Sequence, residues 1–501
     1  MNHALILPIL LPMFVGSMLL FGARLSMPVK RLMSFSVVLI MLPLSFWLMA
    51  QADQGDLQLY ALGNWQPPFG IILMLDRLSA LMLVATAVLS FFALLYATRG
   101  DDERGRNFHA LFQFQLMGIY GAFLTADLFN LFVFFEILLI ASYSLLLHGG
   151  GPDRVRAGLH YVVLNLVGSA FFLIAVGVLY GITGTLNMAD MAQRVAVASA
   201  DQAPLIGAAG FMLLVVFGLK AAFLPLYFWL PRAYASATAP VAALFAIMTK
   251  VGLYSILRVY TLIFGDDAGT LANMADAWLW PLALLTIGLG AIGALAATTL
   301  HNLIAYLVVV SVGTMLAGLA IGTPESTTAA LYYMLHSTWV SGGLFLLADL
   351  ISRQRGVKTT ELVQGPELQN PYILSALFFF GAISIAGLPP LSGFIGKLLL
   401  LRSVEPGLQM AFLWPVVLVG GLITVIALSR AGSTLFWRVG VSQLDSAELD
   451  YGRLFACIGL LVLSPVIVGL AEPLLDYLHA TVSQLHDLPL YYQIIQPGGG
   501  A

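Results

Sequence analysis

The sequence predicts an all-α integral membrane protein with about fourteen transmembrane helices. Composition, recurring apolar runs and the sign of the loop charges lead there. Of 501 residues, 60% are hydrophobic and 9% charged, and the mean hydropathy is +0.94. Soluble domains carry about 25% charged residues. A large soluble core does not relax that requirement, because its surface still faces water. Lipid must therefore cover much of this chain.

Apolar stretches of about twenty residues recur along the chain, each long enough to cross ~30 Å of hydrocarbon. Their centres lie near Met13, Ile40, Ala85, Gly118, Ile137, Phe172, Phe217, Met248, Leu289, Ser311, Trp339, Ile385, Ile423 and Leu463. No Lys or Arg precedes the first run, while Arg24, Lys30 and Arg31 follow it. It reads as a first span rather than a signal peptide.

Loop charges support this register. Loops after odd-numbered spans hold Arg24, Lys30, Arg31, Arg99, Arg104, Arg106, Arg154, Arg156, Arg232, Arg353, Arg355, Lys358, Arg438 and Arg453. Loops after even-numbered spans hold mainly acids: Asp53, Asp56, Asp190, Asp201, Asp266, Asp267, Asp276 and Glu325. A missed or extra span would scramble this positive-inside pattern. The pattern predicts both termini outside the cytoplasm. Net charge is −3, which gives no reason to expect nucleic acid as a partner. The single cysteine, Cys457, excludes internal disulfides and cysteine-ligated zinc or iron–sulfur centres. No cofactor and no metal site is expected.

Spans seven and twelve carry helix-breaking prolines. Span seven contains Leu219-Lys220-Ala221-Ala222-Phe223-Leu224-Pro225, and span twelve runs Gly387-Leu388-Pro389-Pro390-Leu391-Ser392-Gly393. Proline removes a backbone donor and clashes with the preceding turn, so both helices are expected to be discontinuous. The two spans are five apart and so run in opposite directions, as inverted repeats do. The plainer alternative is a pair of unrelated kinks.

Five ionisable residues fall deep within spans: Glu136, Lys220, Lys250, His336 and Lys397. Each would cost roughly 2.5–3.5 kcal/mol at the bilayer centre. They are expected to face protein and interior water. Burial disfavours a charged form and an opposite charge favours it. Groups held between those pressures can exchange protons, and a water-bridged series of them is a proton relay. Each has a structural alternative. Glu136 and Lys220 can form a static ion pair, although such pairs stabilise poorly. Lys250 and Lys397 can snorkel to an interface, and His336 can be a satisfied interior histidine. Arg258 and Arg430 lie nearer span ends and read as anchors or interface residues. Asp127 and Asp349 are expected near the membrane surfaces, and Phe129, Phe132, Phe134 and Phe135 as lipid-facing or packing surface.

The Phe134-Phe135-Glu136 triplet, the Lys220 to Pro231 stretch, Thr249-Lys250-Val251-Gly252 and Gly387 to Phe394 together resemble the antiporter-like subunits. That family includes Mrp-type cation/proton antiporters, complex I membrane subunits and membrane-bound hydrogenases. Leu62 to Ile71, Leu75-Asp76-Arg77-Leu78-Ser79 and Asp127-Leu128-Phe129-Asn130 are similar to D-type subunits of Mrp antiporters. The long lateral helix of the largest members is not expected here, which fits a D-type subunit.

The resemblance implies three N-terminal helices over 1–105 and inverted repeats over 106–265 and 266–440. A last helix and a short tail would occupy 441–501. It implies Glu136 and Lys220 as a coupled pair, Lys250 as the central lysine, His336 as the linking histidine and Lys397 as the terminal lysine. His301 departs from the pattern, since relatives are similar to Lys or Arg near there. The implied function is proton translocation within a multisubunit Na+ or K+/proton antiporter. The implied setting is a bacterial inner membrane, with other antiporter subunits as partners in a hetero-oligomer. Alternatives are a proton-pumping subunit of complex I or a hydrogenase, and an inert scaffold with a static charge network.

Overall fold

The structure, a computed structural model, describes residues 3–22, 24–356, 360–440 and 448–495. Lys358 and the stretch 441–447 lie outside them. The first helices are α1 (Leu7–Phe21), α2 (Met27–Ala52), α3 (Arg77–Ala97), α4 (Phe108–Leu124), α5 (Leu128–Leu146) and α6 (Pro152–Thr183). A short α7 (Met188–Ala196) precedes α8 (Ala203–Ala221), α9 (Trp229–Ser236), α10 (Ala239–Phe245) and α11 (Met248–Leu262). Then come α12 (Asp276–Ala296), α13 (Leu300–Ile321), α14 (Pro324–Gln354), α15 (Pro371–Ala386), α16 (Ser392–Arg402), α17 (Leu408–Phe436) and α18 (Tyr451–Gly469). The chain closes with α19 (Ala471–His486) and α20 (Leu488–Tyr492).

Every expected span centre falls on one of these helices. Twelve helical stretches among the described residues are long and apolar enough to cross a membrane. The expected spans outside that set are α4, with 17 residues, and α15, with 16. The bundle has an inside and an outside. The apolar windows of α1, α2 and α17 are 33% buried, whereas those of α14 and the α10–α11 stretch are 94% and 100% buried. The middles of the outer helices expose apolar residues, such as Leu166, Ile174, Leu418 and Leu422, as a lipid-facing surface requires.

Both expected breaks are present. After α8, Ala222 takes a left-handed conformation (φ 62°), and the chain runs irregularly to α9. After α15, Gly387 does the same (φ 82°) before α16 begins. Partners from other elements take up backbone groups freed at the breaks. Leu224 N–H donates to Thr286 Oγ1 (2.9 Å), and the Trp229 indole donates to the Leu219 carbonyl (3.0 Å). Ser392 N–H donates to Ser464 Oγ (3.3 Å). A third interruption, between α10 and α11, had no proline to announce it.

Ion pairs sort the loops into two sets. Arg31–Asp102 (2.7 Å), Arg353–Asp101 (3.0 Å), Arg453–Asp101 (3.2 Å) and Arg99–Asp450 (3.0 Å) join loops that follow odd-numbered spans. Burial pushes the Asp102 carboxyl up, but His109 and Arg31 outweigh it and hold it at about 2. Arg77–Asp53 (2.8 Å) and the contact of His479 with Thr328 (3.3 Å) join loops that follow even-numbered spans. A two-stranded antiparallel sheet of β1 (Gln58–Ala61) and β2 (Ile72–Leu75) sits on this second side.

Two expectations change here. Arg258 is not a span-end anchor exposed to an interface. It is fully buried and bonds Asp76 at 2.6 Å, with Tyr491 donating to the same carboxylate (2.8 Å). The segment after α18 is also more than a tail. Gln484 on α19 accepts from Arg77 N–H (2.9 Å) and donates to the Gly55 carbonyl (2.8 Å), so the C-terminal segment straps the start of α3. Arg430 donates to the Ala297 carbonyl at 3.0 Å. Asp127 caps α5 through Asn130 N–H (2.7 Å), and Asp349 accepts from Tyr96 (2.6 Å) and Arg353 (2.6 Å). In the phenylalanine run, Phe129 is exposed, while Phe134 and Phe135 are buried.

Two outcomes follow from this layout. With the sidedness that the loop charges predict, an impermeant thiol reagent applied from outside the cytoplasm is expected to label Asp201→Cys in intact cells, and Asp153→Cys only after permeabilisation. Arg258→Met will cost about 3–5 kcal/mol, because it leaves Asp76 buried without its cation. Thermal unfolding of the purified protein will show that loss, and adding Asp76→Asn will recover part of it.

Candidate functional site

All five deep ionisable residues sit on bundle helices, and four of them are buried: Lys220 (α8), Lys250 (α11), His336 (α14) and Lys397 (α16). Glu136, on α5, is half-buried at the edge of the series. Glu136 and Lys220 make no direct ion pair among the described contacts. Lys220 Nζ donates to Asn165 Oδ1 at 2.9 Å, and Glu136 accepts from the Ser169 hydroxyl. Asn165 and Ser169 lie one turn apart on α6, where the Ser169 hydroxyl also lies 3.0 Å from the Asn165 carbonyl. Glu136 and Lys220 are therefore joined through a turn of α6 rather than by direct contact. Asn165 is held in turn by the Tyr161 carbonyl (2.8 Å).

Lys220 and Lys250 are brought near each other by backbone contact. A Cβ on Gly252 would lie 2.4 Å from Ala221 N, so only glycine lets α11 approach α8 this closely. A cavity of about 10 Å³ opens beside Lys220, lined by Asn165, Tyr161, Trp229, Met248 and Val251. That is about the volume one water needs. Lys250 Nζ is fully buried with no hydrogen-bond partner among the described residues, and the same holds for His336 Nε2 and Ser341 Oγ. Buried polar atoms of this kind are where interior water bonds.

His336 is placed by the second break. Its Nδ1 lies 2.7 Å from Ser392 Oγ, at the first residue of α16. A Cβ on Gly393 would meet His336 Nε2 at 2.9 Å, and one on Gly396 would meet the Tyr333 ring at 2.8 Å. Two glycines thus let α16 press against α14. Lys397 does not snorkel outward. Its Nζ donates back to the Ala386 carbonyl (2.7 Å), and its chain crosses Gly387, where a Cβ would stand 2.7 Å from Lys397 Cδ.

His301 lines a cavity of about 650 Å³ on the odd-loop side, together with Arg154, Arg156, Arg232, Ser236 and Asn302. Its ring stacks on Phe345 (6.5 Å between centroids). No group of His, Cys, Asp and Glu that could hold a metal occurs among the described residues.

Several residues of this site escaped the sequence reading: Asn165, Ser169, Ser384, Ser392 and Ser464. The signal was there for the first two, since Asn165 and Ser169 stand four apart in an otherwise apolar span and so share a helix face. The serines gave none, because single hydroxyls are ordinary in membrane helices.

Residues 125–424 match the family model described as "NADH:quinone oxidoreductase/Mrp antiporter, TM". The chain is 40% identical to the D-type subunit of a probable K(+)/H(+) antiporter from Rhizobium meliloti, covering 97% of this chain and 96% of that one. It is 37% identical to the D-type subunit of the Na(+)/H(+) antiporter from Alkalihalophilus pseudofirmus, covering 99% of each. Its fold is similar to a chain of the Mrp complex from Dietzia sp. DQ12-45-1b, with TM-score 0.87, 24% identity and coverage of 99% and 100%.

Gly252→Ala tests the close approach of the two lysines. The added methyl meets backbone, so α8 and α11 must separate, at a cost of about 1–3 kcal/mol. Cation-driven proton exchange in vesicles is expected to fall sharply, while Gly177→Ala, whose Cβ meets nothing within 4 Å, leaves it unchanged.

Proposed function

The chain belongs to the NADH:quinone oxidoreductase/Mrp antiporter family, and from that membership we propose that its buried lysines and histidine carry protons through the membrane. It is a subunit of a multisubunit monovalent cation/proton antiporter, a transporter rather than an enzyme. The observation that carries the relay reading is the placement of the cations. Lys220, Lys250, His336 and Lys397 are all buried away from the lipid-facing surface, on helices that meet at two broken spans.

The path begins at the arginine-lined cavity beside His301, on the side that the positive-inside pattern assigns to the cytoplasm. Both termini then face away from the cytoplasm, and fourteen spans cross a bacterial inner membrane. A proton moves along Lys220, Lys250, His336 and Lys397 through water bonded to the orphan atoms of Lys250 and His336. The gradient supplies the work, at about 2.3 kcal/mol for each charge crossing 100 mV. Loss or gain of charge at Lys220 reaches Glu136 through Asn165 and Ser169. Glu136, half-exposed at the edge of the chain, passes it to a neighbouring subunit. Other subunits complete the path, so the chain alone is expected to be inactive.

The cation is Na+ or K+; relatives carry both names. Inverted vesicles from antiporter-deficient bacteria carrying the full subunit set, with a pH-sensitive dye, decide it. Added Na+ or K+ is expected to restore the dye signal in wild type. Lys220→Ala, Lys250→Ala and His336→Ala, at equal expression, are each expected to abolish that response. Unchanged transport in all three assembled variants would leave the charges as scaffold. No cation response in an assembled wild-type complex would favour a redox-driven pump instead.

A further inference from the structure

Beside His336 the structure places a run of buried hydroxyls that leads toward the Lys397 break. His336 Nδ1 lies 2.7 Å from Ser392 Oγ, Ser392 Oγ lies 2.7 Å from Ser464 Oγ, and Ser464 Oγ lies 2.7 Å from Ser384 Oγ. All three serines are at most 1% exposed. Ser384 stands two residues before Ala386, whose carbonyl holds the Lys397 ammonium at 2.7 Å. Ser464 comes from α18, outside both expected repeats, and is the only link between the other two hydroxyls among the described contacts.

The donor count gives this chain a direction. Ser464 Oγ already accepts from Ser392 N–H (3.3 Å). With one proton and one remaining lone pair for two hydroxyl partners, it donates to one and accepts from the other. The three hydroxyls therefore point all one way or all the other. One direction accepts a proton from His336 Nδ1, and the reverse donates one to it, so hydroxyl direction and imidazole tautomer are locked together.

We propose that the Ser392–Ser464–Ser384 hydroxyls form the proton conduit from His336 to the Lys397 break, with Ser464 as its essential link. This rests on the relay reading above. A proton arrives at His336 Nε2, and the Nδ1 proton passes to Ser392 Oγ. Ser392 gives its own proton to Ser464, Ser464 gives its own to Ser384, and Ser384 gives its own to the neutral Lys397 amine through water. One proton has moved, every oxygen keeps one hydrogen, and the hydroxyls end reversed with the other imidazole tautomer. Rotation of the hydroxyls and return of the tautomer reset the conduit.

Cation-driven proton exchange by the complete complex in vesicles tests this, with Ser464→Ala, Ser464→Thr, Ser384→Ala and His336→Ala compared at equal assembly. Ser464→Ala is expected to lower the rate about a hundredfold, the low end of what a positioned proton-transfer group contributes. Ser464→Thr, which keeps a hydroxyl, retains the rate. Ser384→Ala removes only the far end and is expected to cause a similar loss, and it stands in should Ser464→Ala fail to assemble. Wild-type rates in Ser464→Ala or Ser384→Ala, with His336→Ala inactive, would overturn the conduit and leave the relay standing. Wild-type rates in His336→Ala would overturn the relay itself, and the conduit with it.

Discussion

The hydrocarbon interior offers no hydrogen bonds, so every backbone group and charge that enters it must be satisfied by protein or by enclosed water. Most features of this molecule answer that constraint. The two broken spans are sheltered behind α6, α12 and α17, whose outward faces are apolar. At each break, side chains from elsewhere meet freed backbone groups: Thr286 and Trp229 at the first, Ser464 and Lys397 at the second. At the second break the structural and functional demands fall on the same atoms. Lys397, the proposed last group of the relay, also satisfies the Ala386 carbonyl.

Helices outside the expected repeats do more than shield. α18 contributes Ser464 to the group around His336, and the strap of α19 and α20 brings Gln484 and Tyr491 to Arg77 and Asp76. Because Asp76 also caps α3 through Ser79 N–H (2.8 Å) and pairs with Arg258 on α11, one carboxylate joins three elements at the acidic-loop side. The opposite side is closed by Asp101, which binds Arg353 from α14 and Arg453 from α18. Thus α11 is pinned on the acidic-loop side and α14 on the opposite side, while glycine contacts and neutral hydrogen bonds hold their middles.

The architecture was legible because its signals are summed over many residues. Twenty apolar residues in a row and the alternation of loop charge leave few topologies, and prolines marked two breaks. The five deep ionisable residues stood out for the same reason, since each is costly where it sits. What stayed hidden depends on tertiary geometry. Nothing in the order of residues says that Glu136 and Lys220 meet through Asn165 and Ser169, or that Arg258 finds Asp76 across the sequence. The break between α10 and α11 has no proline. Serines hidden in apolar runs acquire meaning only when Ser384, Ser392 and Ser464 converge from three helices.

The distribution of the two long cations bears on the mechanism. The chain has five lysines among its 22 basic residues. Three of the five, Lys220, Lys250 and Lys397, are buried in the helix bundle, and none of the three bonds a carboxylate directly. The buried arginines are treated differently. Arg258 is locked to Asp76, Arg453 to Asp101 and the Arg99 carbonyl, and Arg355 to the carbonyls of Glu361 and Val363. Arginine does not release its proton in a protein, whereas a buried lysine shifts its proton affinity readily. A relay needs groups that let go. Placing lysine in the interior away from carboxylates, and arginine where charge stays fixed, separates the residues proposed to move protons from those that hold the bundle together.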